Sequence, residues 1–300
     1  MVNVLSLFDG MSTGHTALDN VGIKVNKYYS SEIKPYAIKL TQHHYPDTIQ
    51  LGDVTKWEDW NIDWQSIGMI LSGSPCQDLS AAGQHTERKG LEGNRSNLFY
   101  VFVKILNHIK ELNPNVLFLQ ENVGSAPKKD VGIMSRALGV YPVKINSKLV
   151  TAQLRDRYYW TNIKTNKDLL GDLFVDIPQP ANQGIILKDI LTSGSSDRDK
   201  HCCLMERYIQ ANTFVNDDYK SWERYIKKRN DKTGMVTIIN DKSCFRLVNK
   251  IEMCRLQGFP DDWCDILSYR EAGSLLGDGW TLPIIEHIFS FINKQELNNV

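Results

Sequence analysis

In SGSPCQDLS, residues 72–80, a cysteine directly follows a proline among small and polar residues. A structural cysteine usually sits in an apolar run, packed as a small hydrophobe. Cys76 instead stands on a proline-stiffened turn after Ser74 and Pro75, with Gln77 and Asp78 behind it. That setting suits a nucleophile, provided a helix N-terminus or a positive neighbour lowers its pKa. Glu121 and Asn122 follow the apolar VLFLQ, and a carboxyl group ending a buried strand can be kept protonated to donate to a substrate. In QLRDRYYW, Gln153, Arg155 and Arg157 occupy every second position. Extended chain would put all three on one face, where they could grip a polar, planar ligand.

The elements that must position these groups alternate in type. VNVLSLF (2–8), VNKYYSSE (25–32), IGMILSGS (67–74) and NVLFLQENV (115–123) read as strands whose C-terminal ends carry polar residues. Helical patterns such as NLFYVFVKILNHIKEL (97–112) lie between them. Strands alternating with helices predict a doubly wound, mostly parallel α/β sheet, which binds ligands outside the carboxyl ends of its strands. From about residue 166 the alternation stops, so 166–243 reads as a smaller inserted lobe. The expected organisation is a catalytic and cofactor-binding domain over 1–165, the lobe, and a return to the catalytic domain over 244–300. NKIEMCRLQGFP (249–260) is helical until Gly258 and Pro260, and WTLPIIEHIFSFINKQ closes the chain as an amphipathic helix.

The first strand-end loop, LFDGMSTG, places Gly10 and Gly14 where backbone amides can approach a ligand at a helix N-terminus. Glu32 could accept hydrogen bonds from two ribose hydroxyls, and Asp53 could accept from an adenine amino group. Each acid has a plainer alternative as a solvated or helix-capping carboxylate. Three such features in order point to a nucleoside-bearing cofactor.

The 300 residues carry 35 basic and 35 acidic side chains, so any nucleic-acid binding must rest on local patches. No apolar run approaches the ~20 residues of a membrane helix, and no secretory leader is evident, so a cytoplasmic protein is expected. The six cysteines show no disulfide framework, and the adjacent Cys202 and Cys203 are poorly placed to bind one tetrahedral ion. No metal is expected. Trp57, Trp60 and Trp64 are spaced for one helical face and read as core.

Taken in order, these motifs resemble the DNA (cytosine-5) methyltransferases. FDGMSTG is similar to the family's S-adenosylmethionine loop, GSPCQDLS to its Pro-Cys-Gln motif and GNRSNLF (93–99) to the end of its mobile catalytic loop. QENV and QLRDRYYW resemble its Glu-Asn-Val and Gln-x-Arg-x-Arg motifs. FRLVNKIEMCRLQGFPDDW is similar to the motif supporting the recognition lobe, and GDGWTLPIIEHI to the last cofactor motif. There are departures. The Asp9, Ser12 and Thr13 pattern is nearer the vertebrate de novo enzymes, Asn249 stands where threonine is common, and Asp278 replaces a usual asparagine.

The resemblance implies transfer of a methyl group from S-adenosylmethionine to carbon 5 of a flipped-out cytosine in double-stranded DNA, through a covalent Cys76 adduct. Glu121, Arg155 and Arg157 are the further catalytic residues it implies, with Ser74, Pro75, Gln77, Asn122 and Gln153 about the substrate. It implies a cofactor site of Phe8, Asp9, Gly10, Ser12, Thr13, Gly14, Glu32, Asp53, Val54, Asp278 and Trp280. A monomer acting alone or beside a restriction endonuclease of the same site is expected, in a prokaryotic or phage setting. Gly83, Gly90 and Gly93 suit a loop that closes over the base.

Residues 219–250 hold nine Lys or Arg against three acids, a local balance of +6, and interleave aromatics with bases as a phosphate-contacting surface does. A solvated helix face is the plainer alternative. The rival readings are a transfer-RNA cytosine-5 methyltransferase and a non-catalytic binding module of the same fold. The RNA relative's Cys-Phe-Thr string would fall at SCFRL, where Arg246 replaces the threonine. A dinucleotide oxidoreductase is disfavoured because GxGxxG is absent.

Overall fold

The computed structural model describes residues 1–75, 98–204, 215–216, 226–229, 236–238 and 245–293, with the backbone alone at 216, 226–229, 236–238 and 245. The chain forms two compact units. One comprises Met1–Ile145, Asp156–Gln179 and Leu282–Val300, and the other Asn146–Arg155 and Pro180–Thr281. This division does not follow the sequence segments: 166–179 belongs with the first unit and 244–281 with the second.

The first unit is built on β1 (Val2–Leu7), β2 (Val25–Ser31), β3 (Ile49–Gln50), β4 (Ile67–Ser72), β5 (Leu117–Val123), β6 (Val143–Asn146) and β7 (Asp156–Thr161). They form one sheet in the order β3-β2-β1-β4-β5-β7-β6. The pairs β3/β2, β2/β1, β1/β4 and β4/β5 are parallel. Every residue of β4 is buried, and of β1 only Asn3 is not, as expected of parallel strands covered on both faces. The order runs outward from β1 in both directions, so the topological switch lies between β1 and β4. The expected doubly wound sheet is therefore present.

Four helices of this unit are α1 (Thr13–Asn20), α2 (Pro35–His44), α3 (Leu98–Leu112) and α4 (Lys128–Leu138). In α3, Phe99, Phe102, Ile105, Leu106 and Ile109 form the buried stripe that helical periodicity predicts. The three tryptophans do not share a helical face. They lie on two 3-10 turns, 54–59 and 64–66, or the residue just after the first, where each is half-buried and packs by its ring against the others or His108. The run DWNID between the turns is rich in Asp and Asn, which favour turns over helix interiors. Beyond β7, a hairpin of β8 (Thr165–Lys167) and β9 (Leu173–Val175) completes this stretch.

The antiparallel β7 meets β5 in the register Val123↔Arg157 and Glu121↔Tyr159. Gly124 makes that approach possible. A Cβ there would lie 2.6 Å from Asp156 Cβ and 2.8 Å from its carbonyl carbon, while the Gly124 amide donates to the Asp156 carbonyl at 3.0 Å. We therefore expect Gly124→Ala to destabilise the first unit by about 1–3 kcal/mol, measured as a lower thermal unfolding midpoint. An unchanged midpoint would show that β7 can yield.

Candidate active site

The β1–α1 loop has an unusual backbone. Phe8, Gly10 and Ser12 all lie in the left-handed region, at φ of 56°, 60° and 56°. Asp9 fixes the turn from within: its carboxylate accepts from the Ser12 hydroxyl (2.5 Å), the Tyr28 hydroxyl (2.8 Å) and the Ser30 hydroxyl (3.0 Å). Burial pushes its carboxyl above the usual range, and the hydroxyl donors oppose that only in part. The half-buried Glu32 clamps the loop from β2, accepting from the amides of Gly10 (2.9 Å), Ile33 (2.7 Å) and Lys34 (2.9 Å). Thr13 and Gly14 open α1, whose N-cap Ser12 makes no side-chain capping bond to the first turn. A Cβ on Gly14 would sit 2.4 Å from Leu71 Cδ1, so any larger residue there would have to displace the Leu71 side chain on β4.

Asp53 is exposed and caps the turn that begins at the buried Val54, accepting from the Thr55 amide and hydroxyl, both at 2.9 Å. Those bonds, the amide first, hold its carboxyl below the usual range. The capping role is thus observed, on a carboxylate that stays exposed.

At the end of β4, Ser74 is buried and Pro75 half-buried. The Ser74 hydroxyl accepts from Gln120 Nε2 (2.8 Å) and Asn122 Nδ2 (3.3 Å), so β5 holds the root of the segment that continues into Cys76. Cys76, Gln77, the glycines of the proposed closing loop and GNRSN all lie outside the described residues. On β5, Glu121 is buried and its Oε1 lies 2.8 Å from Arg157 Nε. The register explains the pairing, because Arg157 stands diagonal to Glu121 on the same face of the sheet.

The three alternating residues of QLRDRYYW do not share one ligand. Gln153 is fully buried in the second unit, receiving the Leu204 amide (2.8 Å) and donating to the Leu256 carbonyl (3.2 Å). Arg155 is buried there too. Its guanidinium donates to the carbonyls of Leu204 (3.2 Å), Gly277 (3.0 Å) and Gly279 (2.8 Å) and to Cys203 Sγ (3.2 Å). Between Arg155 and Asp156 the chain passes from the second unit to the first. Of the three, only Arg157 meets Glu121. Asp278, exposed, and Trp280, half-buried, also belong to the second unit.

The second unit is organised by charge within its own interior. Its helices are α5 (Leu187–Ile190), α6 (Lys250–Gln257) and α7 (Tyr269–Asp278), while α8 (Leu282–Phe289) packs on α1 in the first unit. Glu252 is fully buried. It receives Arg246 through two bonds of 2.7 Å, the Thr192 amide (2.8 Å) and the Asn249 amide (2.8 Å). Asn249 caps α6, accepting from the Glu252 amide at 2.9 Å, so asparagine takes the capping role of the more common threonine. Lys250 donates to the carbonyls of Asp265 (3.2 Å) and Leu267 (2.9 Å). Arg246 and Lys250 are thus engaged within their unit, and the side chains of the other seven bases of 219–250 lie outside the described residues.

Sequence reasoning missed Tyr28 and Ser30 around Asp9, Gln120 on Ser74, and Gly124. The signal for the first pair was present, since residues 28 and 30 share one face of β2. Among the described residues no group of three or more His, Cys, Asp or Glu could hold a metal ion, and no helix is long and apolar enough to cross a membrane.

The sequence profile of the C-5 cytosine-specific DNA methylases matches residues 2–294. The chain belongs to that family. It is 29% identical over 240 residues to the orphan methyltransferase M.SPRI of Bacillus phage SPR, covering 72% of this chain and 53% of that protein. The chain thus spans about half the length of this phage relative. It is 26% identical over 308 residues to the type II methyltransferase M.NlaX of Neisseria lactamica, covering 96% of this chain and 95% of that one. The structure of DNMT2 from Spodoptera frugiperda shares the fold, with a TM-score of 0.63 at 17% identity over 97% of this chain and 99% of that one.

The buried Glu252 yields a prediction about pH. Burial alone would raise its carboxyl, but the bonds from Arg246 and the Thr192 and Asn249 amides outweigh it and hold the folded-state pKa below the ordinary 4.5. The stabilisation is therefore present above about pH 4.5 and lost as pH falls below it through the depressed folded value. Unfolding of the second unit should steepen in that range, and Glu252→Gln should flatten it while costing stability at pH 7. Equal acid sensitivity of wild type and variant would assign the transition to other groups.

Proposed function

We propose that the chain is an enzyme that methylates carbon 5 of cytosine in a specific double-stranded DNA sequence. The observation that carries this reading is the Glu121–Arg157 pair at 2.8 Å, at the carboxyl end of β5. Ring nitrogen 3 and the carbonyl oxygen of cytosine are neighbouring atoms on one edge. An acid and a guanidinium held side by side complement that edge, Glu121 serving the nitrogen and Arg157 the oxygen.

Cys76 then has a defined task. Its thiolate adds to carbon 6, forming a carbon–sulfur bond and moving the ring's electrons toward carbon 5, while protonated Glu121 donates to nitrogen 3. After methylation the proton leaves carbon 5, to water, Cys76 is expelled as the thiolate, and the proton on nitrogen 3 returns to Glu121. Gln120 and Asn122 serve this chemistry by holding Ser74. The target carbon is out of reach inside a duplex, so the base is flipped out at a cost of about a few kcal/mol.

S-adenosylmethionine supplies the methyl group as an electrophile on a sulfonium sulfur. The β1–α1 loop fits it on two counts. The α1 N-terminus lacks a side-chain cap, which suits the donor's carboxylate. A carboxylate offers about four acceptor positions, and three amides bind Glu32, leaving room for a ribose hydroxyl. Phe8, Asp53 and Val54 complete the site within the first unit in this reading. Residues 166–243 read the DNA, their bases meeting phosphates. The protein acts as a cytoplasmic monomer, and a restriction endonuclease of the same site needs no contact with it.

The test is transfer of labelled methyl groups to unmethylated DNA and, separately, to bulk transfer RNA. We expect label in DNA at a recurring cytosine context, lost in Cys76→Ser and reduced by about 10²-fold or more in Glu121→Gln. Label in RNA alone would replace the substrate. Cofactor binding with neither acceptor labelled would favour the non-catalytic module.

A further inference from the structure

Around Asp9 lies a set of aromatic side chains with no part in the chemistry above. Tyr28 donates its hydroxyl to Asp9 Oδ1 (2.8 Å), and its ring stacks on His15 with centroids 4.4 Å apart and planes 12° from parallel. His15 also stacks on Tyr45, at 3.9 Å and 17°, and the Tyr45 hydroxyl donates to Thr16 Oγ1 (3.0 Å). Tyr28 is buried on β2, between sheet and helix α1. Its ring therefore has little freedom, and its hydroxyl reaches the loop from a fixed place.

The loop needs such a fixed point. Left-handed φ at the non-glycine residues Phe8 and Ser12 persists only where surrounding contacts over-determine it. Asp9 sits between the two and gathers the hydroxyls of Ser12, Ser30 and Tyr28. Ser12 is itself part of the loop, its hydroxyl also 2.9 Å from Thr41 Oγ1, and Ser30 is a small side chain at 3.0 Å. Tyr28 is the donor anchored by a ring stack.

We propose that Tyr28 is a positioning residue for the methyl donor, holding through Asp9 the left-handed backbone whose amides and helix start receive it. The proposal rests on the cofactor assignment of the preceding section. Tyr28 touches no reacting atom, so its removal acts on cofactor affinity and leaves the chemical step intact once the site is filled.

The test uses the full chain and S-adenosylhomocysteine, the donor without its methyl group, titrated calorimetrically. Tyr28→Phe keeps the ring stack and removes only the hydroxyl. It should weaken binding about tenfold, with kcat at saturating S-adenosylmethionine within about twofold of wild type. Hydrogen exchange in the peptide spanning residues 8–12 should quicken, while β2 stays protected. Ser30→Ala should act in the same direction and less. Tyr45→Phe removes a hydroxyl from the same stack that does not bond Asp9, and should change neither reading.

A Tyr28→Phe variant that binds and exchanges like wild type would overturn the proposal while leaving the cofactor assignment standing. So would a fall in kcat and unfolding temperature with affinity unchanged, which marks a purely architectural hydroxyl. Failure of the wild type itself to bind S-adenosylhomocysteine would overturn the cofactor assignment, and the proposal with it.

Discussion

The antiparallel pairing of β7 on β5 is the constraint on which the candidate site depends. Parallel strands deliver their loops to one edge of a sheet, but each brings only its own C-terminal end there. An antiparallel neighbour brings its beginning to the same edge. Arg157, the second residue of β7, therefore stands beside Val123 at the end of β5 and diagonal to Glu121. Side chains alternate along a strand, so a slip of one residue would turn Arg157 to the opposite face. Gly124 secures the register, since its amide reaches the Asp156 carbonyl and any side chain would collide with Asp156.

The acids of the two units show how a carboxylate's partners decide its part. Asp9 and Glu252 are both held by several donors, yet their carboxyls move in opposite directions. Asp9 meets hydroxyls, which return only part of the solvation lost on burial. Glu252 meets a guanidinium through two bonds and two backbone amides besides, and these hydrogen bonds outweigh the loss. Asp53 is exposed, and backbone and hydroxyl donors suffice to depress it. Glu121 likewise has a guanidinium beside it, Arg157 Nε at 2.8 Å. Its neighbour Arg157 has a substrate atom to reach in the proposed chemistry, whereas Arg246 is bound into its own unit.

Much of this was legible in the sequence, for a physical reason. Strands buried on both faces must be apolar throughout, so the polar residues that interrupt VLSLF, MILS and VLFLQ mark the functional edge of the sheet. Gly258 as the stop of α6 was equally readable, and it takes the left-handed φ of 81°. The grip by Gln153, Arg155 and Arg157 was not. Period-two reasoning assumes one continuous strand within one body, and the chain changes units after Arg155. Nor does composition reveal that Arg246 and Lys250 direct their donors to Glu252 and to carbonyls. The alternation of β2 put Tyr28 and Ser30 on one face, but that this face meets Asp9, 19 positions before Tyr28, takes the fold to show.

The same engagement of charge bears on how this protein could hold DNA. The excess of bases over 219–250 is the sequence's strongest electrostatic feature, but two of its nine cations are engaged within the second unit. Arg246 pairs with a buried acid and so contributes little to the field outside. With net charge zero, the whole chain adds no attraction of its own to that patch. In the proposed reading, close contacts then have to supply affinity, among them the cytosine edge that Glu121 and Arg157 would bind. That reading trades loose attachment along any duplex for grip on a single extruded cytosine. It also asks the β5–β7 register and the Asp9 hydrogen bonds to hold their groups in place, because both reacting partners must be held before the bond can form.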